Sequence, residues 1–390
     1  MWCWQPIPEG KDHYPETSSQ SLELPHGFKL VAARVRGKKH KHEGSHCDDW
    51  FELGHSGAWS IIAVADGAGS RLFSRVGARM ACEAAVRYLT SQLATHQLTT
   101  REQWTTETFA RDEHYRFKSP DLEFTQQLLH DAMQIAYVAV EQAWHERDES
   151  KYYYKALGNR DLTINDLATT LLLVVHTTVT VNTVVYSLIL SCQIGDGVAA
   201  AIYKNKPETS VLTELEQNNF SGETLFLTTS PNYLERDYLA TKTFPFFSPL
   251  RALLVMTDGV ADDYFPPPPE MLRLWGNLLL NGIITLTNLA PPAETEILAR
   301  QDEYMALVER ILPTGVVPTP LAMIEDYATL RQQSISELIT TPALITAGIP
   351  AAILANDITP AERLQLWLDT YQLRGSFDDR TLVVLYHDET

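Results

Sequence analysis

Three Asp-Gly pairs each close a hydrophobic run: Asp66-Gly67, Asp196-Gly197 and Asp258-Gly259. A fourth acidic point, Asp378-Asp379, stands just before the strand-like run Thr381, Leu382, Val383, Val384, Leu385, Tyr386. If these runs are neighbouring strands, Asp66, Asp196, Asp258 and Asp378 converge at one end of a buried sheet. Carboxylates held so close repel one another unless a cation lies between them. Oxygen donors with no His or Cys among them suit Mg²⁺ or Mn²⁺ better than Zn²⁺. The chemistry that such a set serves is metal-assisted hydrolysis of a phosphoester.

A second cluster precedes these turns. Arg36, Lys38, Lys39 and His40 lie shortly before Asp49 and are candidates for holding a phosphate, although a solvated charged turn reads the same way. His40, His42 and His46 with Cys47 have the look of a zinc set, but no second ligand pair accompanies them.

The elements that must position these residues follow from periodicity. Residues 28–36 alternate like a strand, and 50–53 with 59–65 form a strand pair around Gly54–Gly57. The spacing predicts helices over 74–93 and 122–146, then β-rich runs over 169–177, 184–194, 198–203, 225–228 and 252–257. Strands, two long helices and further strands without regular alternation predict an α+β fold built mainly on antiparallel sheet. Residues 1–27, rich in Pro, Ser and Glu, read as a loose leader before a domain spanning 28–390. Between the last two acidic points lies an expected helical insertion, 264–357, with helices at 270–280, 294–312 and 321–339. A further helix over 360–373 has Thr359 as cap and Pro360 in its first turn.

The bulk numbers narrow the class. The 390 residues carry a formal net charge of −18, 45% hydrophobic and 21% charged residues, an ordinary globular composition. That charge argues against a nucleic-acid binder. Four cysteines with no CxxC pair fit a reducing compartment. No secretory signal and no run approaching roughly 20 apolar residues is visible, so the expected location is the cytoplasm, with no membrane partner.

In order and context, the four acidic points resemble the metal-dependent protein phosphatases of type 2C, and their bacterial branch above all. The resemblance is carried by Val64–Ser70 (VADGAGS) with Ser74, Gly77 and Ala78; by Gly37, His40, Gly44, Cys47 and Asp49; by Ala168-Thr169-Thr170; by Gly195-Asp196-Gly197; and by Leu254–Val260 (LVMTDGV) and Ser376–Leu385 (SFDDRTLVVL). It implies a sandwich of two antiparallel β-sheets flanked by paired helices, with the metals at one end. Asp66 would bridge two ions, and the Gly67 carbonyl would bind one of them. Asp258 and Asp378 would hold the other, Asp49 would orient water, and Asp196 would help bind a third ion. The implied substrate is phosphoserine or phosphothreonine on a protein, a kinase product. Where many relatives carry a proton-donating histidine this chain has Ala68; a phosphate-gripping arginine is replaced by Gly44, and an asparagine by Asp379.

Two functions compete. One is an active Mg²⁺- or Mn²⁺-dependent protein phosphatase with catalytic Asp49, Asp66, Asp258 and Asp378. The other is a phosphatase-fold binding module that recognises a phosphoprotein or partner without turnover, the helical insertion being its interface. The carboxylate cluster favours the first, because a pure binder has no use for it. Hydrolysis of a small phosphoester by the same centre is a third reading.

Overall fold

The computed structural model describes residues 5–96, 98, 104–206, 208–214, 224–265, 270–280, 283–284, 359–370 and 377–387. Among the described residues, eleven strands form two sheets. The six-stranded sheet contains β1 (Thr17–Glu23), β2 (Phe28–Val35), β7 (Val198–Tyr203), β8 (Thr209–Val211), β10 (Leu250–Met256) and β11 (Arg380–His387), in the order β1-β2-β11-β10-β7-β8. The five-stranded sheet runs β3-β4-β5-β6-β9, from Trp50–Ser56, Trp59–Ala65, Leu171–Val181, Val184–Ile194 and Thr243–Ser248. Every strand pairing described is antiparallel.

β4 shows why so many strands read as unbroken apolar runs. All seven of its residues are buried, because both faces of the sheet are covered. Ile62 and Val64 point between the sheets, against Leu172, Leu253, Val255 and Val383. Ile61, Ala63 and Ala65 point the other way, as the period of two requires. There they meet α2 (Ser74–Leu93) and α3 (Pro120–Asp148) through Val76, Leu89, Leu129 and Met133. The result is the expected sandwich of two antiparallel sheets.

Shorter helices punctuate the connections: α1 (Lys38–Glu43), α4 (Lys151–Ala156), α5 (Arg236–Thr241) and α6 (Asp258–Ala261). The outer face of the six-stranded sheet is covered by α7 (Glu270–Leu280) and α8 (Pro360–Thr370). Trp275 of α7 is fully buried beside Tyr386 of β11. Trp367 of α8 is buried as well, and Gln365 reaches the Thr17 hydroxyl of β1 at 3.1 Å.

Several expectations need correction. Residues 17–23 of the supposed leader are β1, which pairs with β2 from Thr17↔Val35 to Glu23↔Lys29. Its polar, half-exposed edge position gives no apolar alternation to read. The stretch before it is held too: Arg36 donates to the Gln5 carbonyl at 2.9 Å, Arg34 to that of Pro15 at 3.1 Å, and Arg147 and Tyr153 to the Asp12 carboxylate. The expected insertion began at 264, yet α7 within it is a covering helix of the sandwich; the helices expected at 294–312 and 321–339 lie outside the described residues. Of the expected strand 225–228, Leu227 and Thr228 form a turn. Among the described residues no helix is long and apolar enough to cross a membrane.

Candidate metal centre

The site lies where strand ends of both sheets meet. Asp66 directly follows β4, and its backbone is clamped by the segment leading into β5. Thr170 N–H donates to the Asp66 carbonyl at 2.8 Å, the Thr169 hydroxyl donates to the same oxygen at 2.9 Å, and Asp66 N–H donates to Thr170 Oγ1 at 2.9 Å. Gly67 permits a close turn, since a Cβ there would lie 2.7 Å from the Asp48 carbonyl. Asp196 sits in the turn joining β6 to β7, where Gly195 takes φ +103°, and accepts from the Thr224 hydroxyl at 2.9 Å. Asp258 opens α6 at the end of β10. Gly259 follows because a Cβ there would overlap the Asp379 carbonyl at 1.8 Å.

Carboxylate oxygens of Asp66, Asp196 and Asp258 lie within 4.8 Å of one another. The electrostatics show the expected conflict. Burial, then Asp258 and Asp49, push the Asp66 carboxyl well above its ordinary range. Burial, then Asp196, Asp49 and Asp378, raise Asp258 to about 8. Asp49, just before β3, is raised to about 7 by burial and by Asp379. Asp378 belongs to an adjoining group with His40 and Asp379, 3.6 Å from His40 Nε2, yet near enough to act on Asp258.

This donor set fits a divalent cation. The ligand atoms are hard oxygens, and Asp49 Oδ1 and Asp196 Oδ1 are buried without a hydrogen-bond partner. Buried polar atoms of that kind need an explanation, and a cation with its water supplies one.

Of the four candidate phosphate ligands, two are turned inward. Arg36 is 1% exposed; it donates to the carbonyls of Gln5 and His40, at 2.9 and 2.7 Å, and pairs with Glu16 at 3.2 Å. His40 is buried against Asp379. Both are engaged within the protein around α1, Arg36 with Glu16 and His40 with Asp379. Lys38 is half-buried, its pKa lowered by burial and by Arg380, and Lys39 is exposed. Among the described residues the zinc set does not gather: the ligand groups that converge are His40 with Asp378 and Asp379, and Asp66 with Asp196 and Asp258.

Two residues near the site had drawn little notice in the sequence. Asp379 accepts from Gly37 N–H at 2.6 Å and Asp48 N–H at 2.5 Å, while pairing with His40. Asp48 itself is buried and raised to about 8 by burial and Asp379. The only sequence signals were the doubled Asp48-Asp49 and Asp378-Asp379. Ala68 is buried, and the His40 ring approaches this turn, with Nε2 3.6 Å from a Cβ built on Gly69.

A family profile described as protein phosphatase 2C matches residues 36–281. The chain belongs to that family. No curated protein matches the sequence. Among solved structures, a bacterial serine phosphatase is 11% identical at a TM-score of 0.37, with 93% of this chain and 98% of that one covered. The serine/threonine phosphatase of S. agalactiae is 14% identical at 0.34, covering 92% and 99%, and Stp1 from Staphylococcus aureus is 12% identical at 0.36, covering 94% and 97%. Likenesses this distant carry no argument about activity.

Proposed function

We propose that this protein hydrolyses phosphoserine and phosphothreonine on protein substrates at a binuclear Mg²⁺ or Mn²⁺ centre. The observation that carries the reading is the convergence of Asp66, Asp196 and Asp258 within 4.8 Å, carboxylates that only a cation or protons can reconcile. Asp66 and the Gly67 carbonyl would hold the ions together with Asp258 and Asp378, and Asp196 would serve a third. When bound, such ions supply an activated water and neutralise charge on the phosphoryl oxygens.

The chain's own residues do the rest. Thr169 and Thr170 fix the Asp66 backbone, Asp49 accepts hydrogen bonds at the cluster, and exposed Lys39 on α1 offers a cation to the phosphate dianion. Substrates are products of a Ser/Thr kinase, and partner choice is assigned to the stretch that follows α7. Three described cysteines that are all free and buried support the cytoplasm as the working compartment.

Two observations favour the second reading, a phosphatase-fold module without turnover: Arg36 and His40 are committed inward, and position 68, an alanine, offers no proton donor. Release of phosphate from a phosphopeptide panel and from p-nitrophenyl phosphate, with and without Mn²⁺, separates the two. Turnover of either substrate that vanishes in Asp66→Asn supports the enzyme. Mn²⁺ binding with no turnover of either leaves the module.

A further inference from the structure

Asp49 precedes β3 of the five-stranded sheet, but its carboxylate is held by the other sheet. Oδ2 accepts from the Thr257 hydroxyl at 2.8 Å and from the Thr381 hydroxyl at 2.6 Å. Thr257 directly follows β10 and precedes Asp258; Thr381 lies in β11, three residues after Asp378. The two threonines are also stapled to each other. Thr381 N–H donates to Thr257 Oγ1 at 3.2 Å, and Thr257 N–H donates to the Thr381 carbonyl at 3.2 Å. Both are at most 1% exposed, and so is Asp49.

The two oxygens of Asp49 are therefore unlike. Oδ2 has both lone pairs engaged by hydroxyl donors, which fixes the rotation of the carboxylate. Oδ1 is buried with no partner, while the group lies within hydrogen-bonding reach of the Asp66 carboxylate. A carboxylate aimed by its packing alone could present either oxygen to the cluster. Two threonines on one oxygen remove that freedom.

We infer that Thr257 and Thr381 are positioning residues for the reaction: their hydroxyls aim Asp49 Oδ1 at the carboxylate cluster, as acceptor for the hydrolytic water. The inference rests on the hydrolase reading but names residues outside the ligand set. It also explains why hydroxyls stand at the end of β10 and on β11, beside Asp258 and Asp378. One latch sets the acceptor and its neighbouring ligands in a common frame across the two sheets. Outer groups that orient ligands in this manner are typically worth about 10- to 100-fold in metal affinity or activity.

Thr381→Val tests it, because valine keeps the shape of threonine and Thr381 Oγ1 serves only Asp49 in the bonds described here. Thr381→Ser restores the hydroxyl without the methyl, and Thr177→Val, on a buried threonine that donates to the Ala58 carbonyl, measures the general cost of losing a buried hydroxyl. In variants that melt cooperatively, Thr381→Val should bind Mn²⁺ about 10-fold or more weaker by calorimetry. Its kcat should drop by a similar factor with KM little changed, and Thr381→Ser should recover most of both. The inference is overturned if Thr381→Val matches Thr177→Val in Mn²⁺ affinity, or if Thr381→Ser falls as far as Thr381→Val. Should the wild type release no phosphate at all, the hydrolase reading fails by itself, and the calorimetric comparison still decides whether the hydroxyls position Asp49.

Discussion

His40 Nδ1 lies 2.9 Å from Asp379 Oδ2, and both side chains are at most 2% exposed. Burial disfavours the imidazolium, but the charge and hydrogen bond of Asp379, together with the Asp48 and Asp378 carboxylates, outweigh it and push His40 up to about 9. Burial likewise opposes the Asp379 carboxylate, yet His40 and the Gly37 and Asp48 N–H groups hold its pKa below the ordinary value. The pair ties α1, which leads to Asp49, to the segment that carries Asp378.

Removing one partner of a buried ion pair typically costs about 3–5 kcal/mol. Asp379→Asn should therefore lower the urea unfolding free energy by several kcal/mol near neutral pH. The raised pKa of His40 contributes stability in full below its ordinary 6.5, and that contribution is lost as pH rises through about 9. The lowered pKa of Asp379 contributes above its ordinary 3.8 and is lost as pH falls. NMR titration of His40 provides the direct check: its midpoint should drop well below 9 in Asp379→Asn. An unmoved midpoint would show that the pair does not set it.

The carboxylates of the centre predict an opposite use of protons. Asp48 and Asp258 are raised to about 8 and Asp49 to about 7, each by burial first and by neighbouring carboxylates next. The folded chain then holds protons that the unfolded chain has released above about pH 4, so without divalent ions stability should fall as pH climbs from about 4 to about 8. Saturating Mn²⁺ should flatten that slope by replacing protons with cations. Asp258→Asn should raise the Tm of the metal-free protein at pH 8 while weakening Mn²⁺ binding. Scanning calorimetry in EDTA and in Mn²⁺ reads all three, and a metal-free Tm that stays level over this range contradicts the clustering.

Much of this was legible in the sequence, for identifiable reasons. The helices Ser74–Leu93 and Glu270–Leu280 have the bounds that periodicity suggests. The chain turns carrying Asp66, Asp196 and Asp258 stood out because a buried sheet must break polarity where it ends. β1 was invisible because an edge strand of Ser, Gln and Glu buries too little to alternate. The inward roles of Arg36 and His40 were equally hidden: a cation in a basic run looks the same whether it meets water or the carbonyls of Gln5 and His40. Partnership across more than 300 positions, as between His40 and Asp379, leaves no local pattern at all.

Ala68 bears on the leaving group. Its side chain is buried, and its N–H donates to the Ala168 carbonyl at 3.0 Å, so position 68 supplies no acid. An alkoxide leaving from phosphoserine benefits from a proton donor, by about 10²–10⁴-fold, whereas p-nitrophenolate does not need one. The wild type should prefer the aryl substrate. Ala68→His should raise phosphopeptide turnover while leaving aryl turnover nearly constant, and overpacking should lower stability by about 1–3 kcal/mol. An unchanged ratio of the two rates in a variant that still binds Mn²⁺ would mean that proton donation does not limit the reaction.

The last prediction separates scaffold from insertion. Met271, Leu274, Trp275 and Leu278 of α7 are all fully buried, so α7 is a wall of the sandwich even though the sequence placed it inside the insertion. Trp275→Ala should cost about 3–5 kcal/mol, as large aromatic truncations in cores do. A deletion beginning at residue 266 removes α7 and strips the cover from β7 and β11; it should fail to melt cooperatively. A deletion confined to 285–358, closed by a Gly/Ser linker between Ile284 and Thr359, keeps α7, α8 and every strand end that bears a candidate ligand. That variant should fold, bind Mn²⁺ and hydrolyse p-nitrophenyl phosphate at a rate near that of the full chain, with loss confined to protein substrates. Circular dichroism melts, Mn²⁺ calorimetry and the two assays check it together. If the shorter deletion folds but binds no Mn²⁺, residues 285–358 belong to the catalytic scaffold, and assigning partner choice to them is wrong.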